Sequence, residues 1–138
     1  STRLHHCLPV AGQKHNCYCG PGVIAAITGV TTGEAARKLR MYTGKASIKG
    51  TTADEVLTVL GWCGFRQTGK ESYYPHKKMT LRNWLRDHYD GRLALVSAMN
   101  HWWALADGYF CDTYNKLPTP VEKIHNPKSQ VSHVWYLD

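Results

Sequence analysis

Residues 13–29 of this 138-residue chain read QKHNCYCGPGVIAAITG, a polar run that ends in Cys-Gly-Pro and precedes a short apolar segment. Proline suits the first turn of a helix, and the apolar spacing of Val23, Ile24 and Ile27 predicts a helix face turned to a core. Cys19 is therefore expected at or just before a helix start. The positive end of the helix dipole favours a thiolate there, and the thiolate is the nucleophilic form of cysteine. The competing interpretation is a small packed residue beneath the helix.

Composition and charge favour a single globular domain, which we assign to residues 1–138. The apolar fraction is 43%, and the net charge is +7 because 17 Lys and Arg residues oppose 10 Asp and Glu residues. The basic residues are scattered, so we expect only weak, nonspecific and salt-sensitive contact with nucleic acid. No segment has the roughly 18 apolar residues of a membrane span, and the N-terminus lacks an apolar signal-peptide core. We expect a monomer in the cytoplasm.

The five cysteines do not predict a disulfide framework, because their number is odd and their spacing is irregular. A structural zinc site is an alternative role for the His- and Cys-rich N-terminal region. Zinc needs four ligands, and the C-x-C spacing here is tighter than the usual finger pattern. We therefore expect no cofactor. The candidate zinc ligands are His5, His6, Cys7, His15, Cys17 and Cys19.

The order of predicted elements is helices first and then an antiparallel sheet, which is an α+β arrangement. Helices are predicted over residues 19–28 and 34–41, from the cap at residues 51–54 to Gly61, and from residue 81 to the Asp90-Gly91 stop. Strands are predicted over residues 62–67, 92–99, 101–106, 109–114 and 131–137. Loops are predicted over residues 43–50, 68–78 and 115–130. Helix caps are predicted at Thr31 with Glu34, at Thr51 with Asp54, and at Thr80.

A hairpin brings two polar side chains together late in the chain. Asp107-Gly108 is a strong two-residue turn signal, and pairing outward from it sets Trp103 opposite Asp112. Side chains alternate along a strand, so His101 shares a face with Trp103 and lies diagonally from Asp112. The separation of diagonal neighbours on paired strands suits a hydrogen bond between the side chains of His101 and Asp112. With Cys19, the chain supplies the nucleophile, base and orienting group of covalent acyl transfer.

These motifs together resemble the papain-like cysteine peptidases, in particular the group that processes double-glycine leader peptides in bacteriocin export and its small phage-borne relatives. The resemblance rests on Gln13 six positions before Cys19, the Cys-Gly-Pro at a helix start, and His101 followed by Asp112 on consecutive strands. It implies a papain-like fold with N-terminal helices on a C-terminal antiparallel sheet. It also implies Gln13 as oxyanion donor, Cys19 as nucleophile, His101 as base, Asp112 as orienting residue, and a peptide or amide-containing substrate.

The sequence departs from that group at several points. Tyr18 stands where the group often has Asp, and the interval between His101 and Asp112 is short. Asn115 is a second candidate for the third member, as Asn serves in papain. No transporter domain follows, so we do not expect a leader-peptidase role in export.

Two other functions fit the same fold. The first is a catalytically inactive or host-directed binding protein, such as a phage-type inhibitor or a nucleic-acid binder, which would act in the host cytoplasm if a phage encodes it. The second is hydrolysis or transfer of a cell-wall amide. A zinc nucleobase deaminase is less favoured than a structural zinc site, because its H-x-E and P-C-x-x-C signatures are absent.

Overall fold

The computed structural model describes residues 2–5, 19–46, 50–75, 78–98, 101–112, 115 and 117–138, with the backbone alone at Cys19. The helices in these ranges are α1 (Cys19–Thr28), α2 (Thr32–Thr43), α3 (Ala53–Trp62) and α4 (Leu81–Asp87). The strands are β1 (Gln67–Ser72), β2 (Ala94–Ala98), β3 (His101–Ala106), β4 (Tyr109–Cys111), β5 (Thr119–Pro120) and β6 (Val131–Leu137), and a short 3₁₀ helix covers Val121–Lys123. None of the described helices is both long and apolar enough to cross a membrane.

The strands form one antiparallel sheet in the order β1-β6-β2-β3-β4-β5. Its two faces carry separate cores. On one face, the three helices α1, α2 and α3 pack against Ala104 and Trp135. On the other face, Trp84 of α4 packs with Val96 and Trp103. The predicted α+β class, with N-terminal helices packed on a C-terminal antiparallel sheet, is confirmed.

The first two helices have the predicted signals at their ends. α1 stops before Gly29, which adopts a φ of 85° and donates its backbone N–H to the Ala25 carbonyl at 2.9 Å. Such a left-handed residue is the usual end of a helix. Thr31 caps α2 by accepting the Glu34 backbone N–H at 3.0 Å. The Glu34 carboxylate binds Arg37 rather than the cap, so only half of the predicted capping box forms.

The predicted cap of α3 is wrong by one residue. Thr52, not Thr51, is the cap: its hydroxyl accepts the Glu55 backbone N–H at 3.3 Å, and the Glu55 carboxylate accepts the Thr52 backbone N–H at 2.8 Å. Both threonines are able to cap a helix. The reciprocal pair of bonds to Glu55 favours Thr52, because Asp54 has a shorter side chain than the glutamate of a capping box.

The strand predicted over residues 62–67 is also wrong. Trp62 ends α3, and Gly64 turns the chain with a φ of 93°. The strand begins at Gln67 and runs to Ser72, where the sequence predicts a loop, because it is a polar edge strand without apolar alternation. Antiparallel pairing with β6 holds it in the sheet. The final strand over residues 131–137 is confirmed.

Candidate active site

The start of α1 is closely packed. Cys19 is the first residue of the helix, as the sequence predicts, and Gly20 is buried. A Cβ atom on Gly20 would lie only 2.7 Å from the Thr51 Cβ, a distance that real side chains do not reach. Glycine is therefore required directly after Cys19, since the loop before α3 lies against the first turn of α1.

The N-terminal segment shows how α1 is oriented against the sheet. His5 donates its backbone N–H to the Ala26 carbonyl at 2.7 Å, near the end of α1. In the same segment, the Thr2 hydroxyl donates to the Ala106 carbonyl at 3.0 Å, at the end of β3. The ends of α1 and β3 therefore lie near each other. Because α1 packs along β3, the first residue of the helix lies toward the first residue of the strand, which is His101.

The hairpin that carries His101 and leads into Asp112 has the predicted register. Ala104 pairs with Cys111, and the turn residues Asp107 and Gly108 both have positive φ, at 57° and 84°. A two-residue turn of this kind matches the twist of its strands. The Asp107 carboxylate also binds the Arg3 side chain at 3.1 Å, which ties the turn to the N-terminal segment.

The His101 ring contacts the Asp112 carboxylate. His101 Nε2 lies 2.9 Å from Asp112 Oδ2, and the two side chains are 16% and 4% exposed. The edge-to-face contact between the rings of His101 and Trp103, with centroids 4.5 Å apart, limits rotation of the imidazole. The hydrogen bond predicted from the hairpin pairing is confirmed.

The second carboxylate oxygen of Asp112 also accepts hydrogen bonds. Oδ1 accepts the Asn115 backbone N–H at 2.6 Å and the Asn115 side-chain amide at 3.2 Å. Burial acts to raise the pKa of Asp112, but hydrogen bonds from His101 and from the Asn115 backbone outweigh it, so that this pKa lies below its ordinary value. The carboxylate is therefore ionised at neutral pH.

Asn115, the sequence-based alternative for the third member, supports Asp112. Besides donating these two hydrogen bonds, Asn115 accepts the Asp112 backbone N–H with its backbone carbonyl at 3.0 Å. This positioning role was not predicted from the sequence. The available signal was an Asp followed three residues later by a donor, a spacing at which carboxylates commonly bind a local backbone N–H.

A second carboxylate with several donors, Glu71, was not singled out from the sequence. It accepts hydrogen bonds from the hydroxyls of Tyr73 and Tyr136 at 2.6 and 2.7 Å and from the Trp84 indole at 2.9 Å. Burial acts to raise the pKa of Glu71, and the three donors together lower it below its ordinary value. Glu71 therefore ties β1 to β6 and α4.

Several candidates lie outside the described residues: Gln13, His6, Cys7, His15, Cys17 and the side chain of Cys19. Those positions stay predictions. The described His5 ring lies 3.1 Å from the position of a Cβ on Gly29, at the opposite end of α1 from Cys19, about 15 Å along the helix axis. Zinc ligands bind within about 2.3 Å of the ion, so His5 and Cys19 cannot share one zinc. The described part of the chain holds no group of three metal-binding side chains.

Comparison with solved structures finds a likeness in fold. No family model matches the chain, and no curated protein matches it. A solved structure of a double glycine motif protease from an AMS/PCAT transporter, in complex with the leader peptide, matches with a TM-score of 0.59 and 16% sequence identity. The match covers 96% of this chain and 92% of that chain. The chain therefore has the papain-like fold that the sequence predicts.

Proposed function

We propose that the protein is a cysteine-dependent peptidase or amidase that acts through an acyl-enzyme. In this proposal Cys19 is the nucleophile, His101 the general base, Asp112 the orienting residue and Gln13 the oxyanion donor. The observation that carries it is the 2.9 Å contact between His101 and a buried, ionised Asp112 at the end of the sheet toward which α1 begins. A histidine fixed by a buried carboxylate is the arrangement that activates a thiol for attack.

The hydrogen bond to Asp112 assigns the two ring nitrogens of His101 to different tasks. Since Nε2 donates to Asp112, Nδ1 is the atom that takes the proton from the Cys19 thiol. The thiolate sulfur then forms a bond to the substrate carbonyl carbon. The carbon–nitrogen bond breaks as the imidazolium protonates the leaving amine, which leaves a thioester. Water hydrolyses the thioester with His101 again as base, and Asp112 stabilises each imidazolium.

The negative charge that develops on the carbonyl oxygen needs donors that are already in place. The Cys19 backbone N–H is one candidate, because it is unpaired within the helix at the first residue of α1. The Gln13 side chain is the second candidate, and its support is the six-position spacing to Cys19.

We propose a peptide substrate, and peptides with two successive glycines are the first to test. The support is the likeness in fold to a protease named for a double glycine motif and solved with a leader peptide. Two glycines present no side chains, so they fit a narrow site on the acyl side of the bond.

Alkylation by iodoacetamide, followed by peptide mapping, tests the nucleophile without a known substrate. We expect Cys19 to be the cysteine that is alkylated fastest near neutral pH. His101→Ala should lower the alkylation rate of Cys19 and leave the rate of the partly exposed Cys63 unchanged. Faster labelling of Cys7 or Cys17 would refute the assignment. A Cys19 that reacts no faster than Cys63 would favour the inactive binding protein instead.

A further inference from the structure

We propose that a cavity beside His101 binds the part of the substrate that leaves as the amine, and that it selects an apolar residue followed by an acidic one. The proposal rests on the proposed peptidase function, and it adds a preference for particular substrate residues on the C-terminal side of the cleaved bond. It depends on the position of the cavity, the face of the sheet that it occupies, and the chemistry of its walls.

The cavity has a volume of about 660 Å³ and lies at the end of the sheet. Its floor is a row of residues on three adjacent strands, since Ala98 of β2 pairs with His101 on one side and with Val131 of β6 on the other. Neighbouring strands are about 4.8 Å apart, so the floor extends about 10 Å from His101. That length accommodates two or three residues of an extended peptide.

The cavity and α1 lie on opposite faces of the sheet. His101 shares its face with Trp103, which packs in the same core as Trp84 of α4. Ala104 points to the other face, where it packs in the core that contains α1. A substrate that reaches both catalytic groups therefore spans the end of the sheet, with Cys19 on one side and the cavity on the other.

The chemistry decides which half of the substrate enters the cavity. The acyl half becomes bonded to the Cys19 sulfur and stays on the α1 side. The leaving nitrogen takes its proton from His101, so it must face that ring when the carbon–nitrogen bond breaks. The chain that continues from this nitrogen is thereby directed over the face that carries the cavity.

The walls favour an apolar side chain and then a negative charge. Ala98 and Val131 are buried in the floor, and the exposed rings of Tyr74 and Pro75 form one wall. Lys78 is exposed at the rim, and none of the described lining residues is acidic. An apolar residue next to the cleaved bond covers the floor, and a carboxylate one residue later reaches the Lys78 ammonium.

Binding of short product-like peptides to the Cys19→Ala protein tests the cavity without turnover. The probes are the C-terminal amides Leu-Glu-Ala, Leu-Lys-Ala and Ser-Glu-Ala with free N-termini, and the measurement is NMR titration of the Val131 methyl and His101 ring signals. We expect Leu-Glu-Ala to bind about tenfold more tightly than Ser-Glu-Ala, because the leucine covers apolar surface. We expect Leu-Glu-Ala to bind roughly fivefold more tightly than Leu-Lys-Ala, which is the size of effect that an exposed ion pair gives.

Charge reversal at the rim gives the decisive comparison. Lys78→Glu should reverse the preference between Leu-Glu-Ala and Leu-Lys-Ala, and Lys123→Glu, which changes an exposed lysine outside the cavity, should leave it unchanged. Equal binding of all three peptides, or titration shifts away from Val131, would overturn the proposal. Failure of the proposed function has a separate signature, since it appears as a Cys19 alkylation rate that does not depend on His101.

Discussion

Replacing Asp112 by Asn tests the orienting role through the tautomer of His101. Oδ1 of Asp112 accepts two donors from Asn115, and Oδ2 accepts one from His101 Nε2. An asparagine has a single oxygen, and the two Asn115 donors hold it on their side. The amide NH₂ of Asp112→Asn must then face His101. Nε2 can only accept from it, so the ring proton moves to Nδ1, the atom that should receive the thiol proton.

The expected loss is large for activity and modest for stability. A histidine locked in the wrong tautomer costs about 10⁴-fold in turnover where this substitution has been made in a catalytic triad, and we expect about 10²–10⁴-fold here. All three hydrogen bonds to this side chain lose their ionised acceptor and each weakens by about 1 kcal/mol, so the free energy of unfolding should fall by about 2–3 kcal/mol. Cleavage of a double-glycine peptide measures the first effect, and urea unfolding measures the second.

The tautomer itself is observable by ¹⁵N NMR of the histidine rings, because two-bond couplings distinguish a proton on Nε2 from one on Nδ1. Asp107→Asn is the matched control, since it makes the same chemical change in the same hairpin at a carboxylate that binds Arg3 rather than a histidine. If His101 of the Asp112→Asn protein keeps its proton on Nε2, or if turnover stays within tenfold, the orienting role is wrong.

Three further substitutions test separate parts of the structure. Gln13→Ala should lower turnover about 10²–10³-fold while Cys19 alkylation keeps a similar rate, and full activity on a cleaved peptide would contradict an oxyanion role. Gly20→Ala should lower the free energy of unfolding, measured in urea, by about 1–3 kcal/mol because the added methyl group would meet Thr51. Gly61→Ala is the control: the space around its Cβ is open, so it should raise that free energy by up to about 1 kcal/mol. Glu71→Gln should lower the free energy of unfolding at neutral pH. Because the pKa of Glu71 is lowered from 4.5, the gap in free energy of unfolding between the variant and the native protein should shrink as the pH falls below 4.5. A gap that does not change with pH would contradict this.

The hairpin was predictable because its information is local. The Asp107-Gly108 turn fixes the pairing of the flanking strands, and side-chain alternation then places His101 and Asp112 on one face. The role of Asn115 was not predictable in the same way. Its three hydrogen bonds with Asp112 depend on the path of the chain after β4, which no periodic pattern encodes.

Two of the mistaken predictions arise from tertiary contacts that compete with local signals. Gln67–Ser72 is polar, so its strand character comes from pairing with β6, more than sixty residues later in the chain. At the start of α3, two adjacent threonines carry the same local signal. Thr51 instead packs against Gly20, where its buried hydroxyl has no hydrogen-bond partner among the described residues, and Thr52 forms the complete cap.

The register of β3 connects the turn to the proposed chemistry. A strand has a side-chain period of two, so a slip of one residue would carry His101 to the face that packs on α1. That slip would separate the imidazole from Asp112 and from the cavity, even though every residue of the site would still be present. The turn at Asp107-Gly108 prevents it from six residues away, because a two-residue turn with positive φ admits one register only. The identity of the proposed base therefore depends on turn geometry as much as on the histidine itself.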